Sequence, residues 1–494
     1  MISEFDNGSA IILITIICSL SSILWPILVD LKSRMHTLGM LMHTSIQFCL
    51  LLLIFDMIKE LNIEISVQLL AVNGFSLGLK ISRVGVLFAL LISILWPAAY
   101  FYSIGYLSTL RDNGIPRFLI FLNLSVSSAI ILSFAGDLMT MFIIYECLTL
   151  CTLPLVGHNF SVHVNSAIKK YILYLFFGSI CLWLPAILYI QANTGLMEFM
   201  HTGIAGMYDI DRQYLLIIFL LSTFGIAKGA IFPMHTWLPS AMAANYPTSA
   251  ILHAVLVVNS GIYCLYKMIF EIFSAELVWE ILRSNSFVYY IVLFGVFYSC
   301  LMAIFQKTIK KILAWSTVSQ LNLIFLIFIS TGPIFNDIGI IALTHHSFCK
   351  ITLFFCAGYI YSSNYATKLE EFRNCFYQFK IEYILFCITA LLLVSLPILG
   401  TGEYKKLVLS GANSHENNIL ILAIIISSVF SFIYFGKIIL EMSTIDQSIL
   451  RLEHKRHKPH IYMKLSSIYC FILCIFMYNY LPTSSLYLQS FLDR

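Results

Sequence analysis

Lys228 stands in GIAKGAIFPMHTWLP (225–239), an apolar stretch with no carboxylate within ten residues on either side. An ammonium at bilayer depth costs at least ~2.5–3.5 kcal/mol, so such a residue needs a reason to be there. Three other places raise the same question. Glu146 is the single carboxylate of FIIYECLTL, and His345, His346 and Lys350 share ALTHHSFCKITLFF. Lys405 and Lys406 sit in LPILGTGEYKKLVLS. One acid, buried bases and adjacent histidines on separate apolar runs are the parts of a proton relay. Desolvation favours the neutral form of an ammonium, and a nearby carboxylate restores the charged form. Moving the partner therefore switches the group, and histidine, titrating near neutrality, bridges such centres. Each residue taken singly has a plainer reading. A lone Glu can be protonated and hydrogen-bonded, a Lys can snorkel, a His can be a satisfied core residue, and Lys405 and Lys406 fit interfacial anchors.

The elements that must hold these groups follow from composition. Of 494 residues, 60% are hydrophobic and only 11% charged, against about 25% charged in a soluble domain. The mean hydropathy is +0.89. The chain therefore reads as an all-α, polytopic membrane protein, and its small net charge of +4 gives no sign of nucleic-acid binding. Fourteen apolar stretches are long enough to span a bilayer: 10–30, 37–58, 84–107, 116–135, 138–156, 169–192, 214–234, 249–270, 286–305, 312–331, 336–361, 381–400, 419–440 and 463–481. Longer polar segments occupy 59–83, 193–213, 362–380 and 441–462. Eighteen Lys and Arg fall on one set of alternate loops and nine on the other, so the richer side is expected to be cytoplasmic or matrix, with both termini outward. The 13 Cys form no C-x-x-C pair and read as packing residues. The acidic N-terminus, MISEFDNGSA, lacks the basic region of a cleavable signal.

Pro233 follows Lys228 by five residues, and Pro397 precedes Lys405 by eight. Proline removes a backbone donor, and broken helices in membranes line cavities or lie buried in protein. The seventh and twelfth spans are therefore expected to be broken, the seventh near 228–234 with Pro233 marking the break. Two such spans five helices apart suggest a five-helix repeat.

With those residues in view, the motifs resemble a known family. KGAIFPMHTWLPSAMAANYPTSAILHAV, KKILAWSTVSQLNLIF and THHSFCKITLFFCAGYIY resemble the seventh-to-eighth, tenth and eleventh helices of the antiporter-like proton-translocating subunits. These are shared by respiratory complex I and the Mrp-type cation/proton antiporters. YSIGYL and GDLMTMFIIYECLTLCTLPLVGH look most like the D-type subunit of the Mrp antiporters. The resemblance runs from about residue 85 to 410. It implies 14 helices with two inverted five-helix repeats, here 116–271 and 286–440, after N-terminal helices in 1–115 and before a C-terminal helix in 463–494. It also implies a charged axis in which Glu146 pairs with Lys228, followed by His253, then His346 and Lys350, then Lys405. No cofactor or metal is implied in this chain. Its implied partners are other membrane subunits, the lipid bilayer, and protons and sodium as cargo, in a bacterial plasma membrane or the mitochondrial inner membrane.

Two positions depart from the family pattern. Asn259 in VVNSG replaces a Lys of the Mrp-type branch, and Ala342 stands where subunit 5 of complex I carries an earlier His. Glu403, beside Lys405, is an addition. The length argues against a full subunit 5. Four readings stay open: an Mrp-type subunit, a membrane subunit of NADH:quinone oxidoreductase, a non-transporting scaffold, and a polytopic membrane glycosyltransferase. The last is disfavoured by scattered acidic residues without D-x-D.

Overall fold

The computed structural model describes residues 7–31, 33–61, 66–72, 75–159, 162–200, 202–330, 336–395, 403–414, 417–445 and 458–492. Each of the fourteen apolar stretches carries helix in its described residues. In a bilayer an unbroken helix is the local way to satisfy every backbone polar group. Among the described residues, twelve helices are long and apolar enough to cross a membrane. The two stretches that fall short are the expected broken spans. The seventh is Arg212–Gly225, and the twelfth is Lys380–Val394, whose 115° bend from Leu369–Gln378 lies at its start, away from Pro397.

Helix starts coincide with capping side chains. Asp137 Oδ1 accepts the Thr140 N–H at 2.8 Å and starts Leu138–Val156. Asn245 Oδ1 accepts from Thr248 at 2.9 Å at the start of the eighth span. Asn417 does the same for Leu420 at 3.1 Å at the start of Asn418–Ser443. Each satisfies one of the donors that a helix N-terminus leaves open.

The apolar windows of Tyr246–Phe273 and Ile309–Ser330 are wholly buried, whereas those of Ala10–Leu28, Arg34–Met57 and Ile461–Tyr478 are mostly exposed. His253 rides on the first of the two buried helices, and Lys350 packs against the second. The chain falls into two compact units. The first comprises 1–100, 114–228 and 255–277, and the second 101–113, 229–254 and 278–494.

Two features differ from the sequence expectation. Strands Ser66–Val72 and Phe75–Lys80 pair as an antiparallel hairpin within the polar segment 59–83. The first unit anchors it: the Gly78 N–H donates to Asp137 Oδ2 at 2.8 Å. The Asn73-Gly74 dipeptide between β-forming residues is a sequence signal that could have found it. The sixth span is also longer than expected, running Val162–Thr194 with a π-helical turn at Ser179–Trp183.

Candidate functional site

The interruption of the seventh span covers the expected 228–234 and begins just ahead of it. The helix stops at Gly225, Ala227–Gly229 form one 3-10 turn, and α-helix resumes only at Trp237. A Cβ at Gly225 would run into the backbone of Trp183 in the π-turn of the sixth span, so this helix end packs where no side chain fits. Lys228 thus lies inside the break. Pro397 lies outside the described residues. The twelfth-span helix ends at Val394 with Ser395 in the left-handed region (φ 47°).

The freed backbone around Pro233 is taken up by the tenth span. Asn322 Oδ1 accepts the Phe232 N–H at 3.0 Å, and Asn322 Nδ2 reaches the Ala230 carbonyl at 3.4 Å. Asn322→Leu is expected to strip that N–H of its acceptor and destabilise the chain by about 1–3 kcal/mol. A thermal midpoint equal to wild type in detergent would count against this role.

In the first unit, Lys228 is wholly buried. Its ammonium donates to the Tyr145 carbonyl oxygen and stands 3.2 Å from the Tyr145 ring centroid, while its backbone N–H donates to Tyr145 Oη at 3.0 Å. Glu146, the next residue, is the carboxylate whose charge reaches Lys228. Both of its oxygens are buried without a hydrogen-bond partner among the described residues. The two charges are neighbours without an ion-pair contact. The ammonium is held by a carbonyl and an aromatic face, the kind of contact that ring quadrupoles stabilise. Asn259, at the position where the family pattern has a lysine, is buried and its amide donates to the Val255 carbonyl at 3.3 Å.

In the second unit, Lys350 is wholly buried and donates to the Leu313 carbonyl at 3.1 Å and to Ser316 Oγ. Lys405, read from sequence as near an interface, is also wholly buried. It donates to the Val394 carbonyl at 2.9 Å and to Ser428 Oγ at 3.0 Å. Val394 ends the broken twelfth helix, so the ammonium sits where the helix dipole is negative and a carbonyl is free. His253 lies in a π-helical turn, Ile251–Val255, with its ring 5.3 Å from Phe354. Neither ring nitrogen of His253 has a hydrogen-bond partner among the described residues, and the His346 ring lies against the His253 backbone. The charge of Lys350 acts on both histidines. His345 points elsewhere, toward Cys349 Sγ at 3.6 Å and the Tyr404 ring. His253, His346 and Lys350 are therefore one cluster, and His345 stands beside it.

One buried cation and one half-buried cation among the described residues escaped the sequence reading. Lys267, counted there as a loop charge, is 2% exposed and meets Glu271 Oε2 at 2.5 Å, with Ser82 Oγ at 3.0 Å. Lys310, also counted as a loop charge, turns its ammonium onto the Ala244 carbonyl and the Tyr246 ring. The i,i+4 spacing of Lys267 and Glu271 was a usable signal for the pair.

Comparison with known proteins finds relatives and a shared fold. Antiporter subunit mnhA2 of Staphylococcus haemolyticus, as that protein is named, is 27% identical over 402 residues, covering 75% of this chain and 49% of that protein. NADH-quinone oxidoreductase subunit L of Campylobacter jejuni is 28% identical over 365 residues, covering 71% and 58%. The chain spans about half the length of the mnhA2 proteins it matches. A chain of the Mrp complex from Dietzia sp. superposes with a TM-score of 0.79 at 18% identity, covering 98% of this chain and 96% of that one. A chain of an archaeal respiratory membrane complex, the membrane-bound sulfane sulfur reductase, does so at 0.77 and 19%, covering 98% and 97%. At such identities these two show a common fold. Residues 135–431, more than half the chain, match the family model itself, and the chain belongs to the NADH:quinone oxidoreductase/Mrp antiporter transmembrane family.

Proposed function

We propose that this chain is a proton-translocating membrane subunit of a multi-subunit cation/proton antiporter. The observation that carries the reading is the state of Lys228, Lys350 and Lys405. Each is wholly buried, each rests on a backbone carbonyl, and none has a carboxylate in ion-pair contact among the described residues. A lysine kept for packing alone is expected to bring a counter-charge, as Lys267 does with Glu271. A buried ammonium without one can pass on its proton without leaving an unpaired carboxylate behind. Glu146, Lys228, His253, His346, Lys350 and Lys405 are the proton-carrying groups in this reading. The repeats 116–271 and 286–440 then hold one lysine station each in Lys228 and Lys350, with Lys405 as a terminal station in the second.

The motifs of the fifth span favour the role of a D-type Mrp subunit, whereas the named relatives are an mnhA2 subunit and a subunit L. The second reading, a pumping membrane subunit of an NADH:quinone oxidoreductase, rests on the subunit L relationship and differs in partners rather than in local chemistry. The membrane is bacterial plasma or mitochondrial inner membrane, with both termini on the outer face. The deciding experiment is purification of the chain with its partners in mild detergent, followed by reconstitution into vesicles. Sodium-driven proton movement, with other antiporter subunits in the preparation, is the expected result. Proton movement driven only by NADH oxidation would select the second reading. Neither activity in an assembled complex would leave the scaffold.

A further inference from the structure

Within the second unit, Lys350 and Lys405 lie at the two ends of a run of hydroxyls. The Lys350 ammonium donates to Ser316 Oγ on Ile309–Ser330. The Ser316 side chain also hydrogen-bonds with the Tyr434 hydroxyl, which reaches it from Asn418–Ser443. Tyr434 Oη lies 2.8 Å from Ser431 Oγ on its own helix. At the other end, Ser428 Oγ accepts from the Lys405 ammonium at 3.0 Å. Ser428 and Ser431 are three residues apart on one helix, so their side chains are neighbours with Cβ atoms about 5–6 Å apart. One bridging water spans that step. Every other step is a direct contact between polar atoms.

Packing accounts for these side chains but not for their hydroxyls. Ser316, Tyr434, Ser431 and Ser428 are all buried. Phenylalanine and alanine would fill the same places and spare the cost of burying polar oxygens. A serine in a helix can return its proton to its own backbone, as Ser316 does to the Leu313 carbonyl at 2.8 Å and Ser431 to the Ser427 carbonyl at 2.5 Å. The Tyr434 hydroxyl instead meets one serine of its own helix and one of the neighbouring helix, so it couples the two. A hydroxyl both accepts and donates, which is what a proton path needs of each member.

We propose that Ser316, Tyr434, Ser431 and Ser428 carry protons between Lys350 and Lys405, with the Tyr434 hydroxyl as the bridge from helix to helix. The proposal rests on the proton-translocating reading given above and names the side chains that perform one of its steps. A proton leaves the Lys350 ammonium for Ser316 Oγ as the proton of Ser316 moves to Tyr434 Oη. The proton of Tyr434 moves to Ser431 Oγ, and that of Ser431 passes through the bridging water to Ser428 Oγ. The proton of Ser428 goes to the neutral amine of Lys405. Each O–H bond formed is matched by one broken, and no alkoxide or phenolate accumulates. Lys350 ends as the amine and Lys405 as the ammonium. Rotation of the hydroxyl hydrogens then resets the run.

The test uses the purified complete complex in vesicles, with proton movement read by an internal pH dye in water and in deuterium oxide. Tyr434→Phe keeps the ring and removes the bridging hydroxyl. It is expected to assemble as wild type, to lose at least about tenfold in proton rate, and to change the solvent isotope ratio. Ser431→Ala is expected to do the same, and Ser431→Thr, which keeps a hydroxyl, to move protons near the wild-type rate. Ser299→Ala is the control, because that buried hydroxyl donates to the Gly295 carbonyl of its own helix at 2.6 Å. It is expected to leave the rate unchanged. Tyr434→Phe and Ser431→Ala moving protons at the wild-type rate and isotope ratio, while Lys350→Met abolishes movement, overturn the bridge and leave the functional reading standing. Wild-type complex that moves no protons overturns both. If Tyr434→Phe assembles poorly, Ser431→Ala measured per assembled complex decides. A slowed rate with an altered isotope ratio, absent in Ser431→Thr, supports the bridge. Wild-type values, or a slowed rate with the wild-type isotope ratio, overturn it.

Discussion

Replacing Lys228 by methionine is expected to lower proton-coupled transport by about 10²-fold or more, the usual weight of a positioned proton-transfer group. The assembled amount should be unchanged or higher. Methionine fills the volume of the lysine stem and removes a charge from a wholly buried place. The Tyr145 carbonyl loses a donor, but it remains inside the Leu138–Val156 helix. Lys228→Arg sharpens the result. Arginine keeps the charge and cannot be deprotonated in proteins, so a relay through residue 228 should fail with it as well. Glu146→Gln should slow transport in the same assay, since it removes the carboxylate that acts on Lys228. Wild-type rates in both Lys228 variants would show that the lysine is only a packing residue of the broken span.

The second large effect concerns stability rather than transport. Lys267 and Glu271 form a buried ion pair, 2% and 8% exposed at their side chains. Lys80 also acts on Lys267, so the carboxylate offsets more than one positive charge. Glu271→Gln leaves the Lys267 ammonium with Ser82 Oγ as its polar contact. Removing one partner of a buried pair costs about 3–5 kcal/mol, because the other charge is left uncompensated. Assembled protein should fall sharply. The double variant K267M/E271Q removes both charges and should recover most of the loss. Thermal unfolding of the detergent-solubilised complex measures both. A single variant as stable as wild type would mean that the pair contributes nothing net.

Much of this fold was legible because the bilayer imposes a simple code. A run of about 20 apolar residues can satisfy its backbone only as a helix, and each of the fourteen runs carries helix in its described residues. Lys228, Glu146 and Lys350 stood out because charge at membrane depth is rare. Ends of elements were harder to read. Lys267, Lys310 and Lys405 sit near helix termini, where a lysine reaches water unless other chain segments cover it. Whether such cover exists depends on tertiary packing, here the hairpin and the 193–213 segment over Lys267 and the Ser428 region over Lys405. Pro233 signalled the break at 228–234, but its start after Gly225 depends on close packing against Trp183, which sequence does not show. The partnership between Lys228 and the Tyr145 carbonyl was invisible in sequence, since any residue type supplies a carbonyl.

The two hydrogen bonds at Lys405 have a consequence for speed. An ammonium has three N–H donors, and among the described residues two are used, on Val394 O and Ser428 Oγ. A neutral amine still has two. The side chain can therefore lose its proton and keep both contacts, with the spare lone pair turned toward the acceptor of that proton. Lys350 has the same arithmetic with Leu313 O and Ser316 Oγ. Charged and neutral forms then share one heavy-atom geometry. Little reorganisation energy separates them, and neither lysine has to repack when its charge changes.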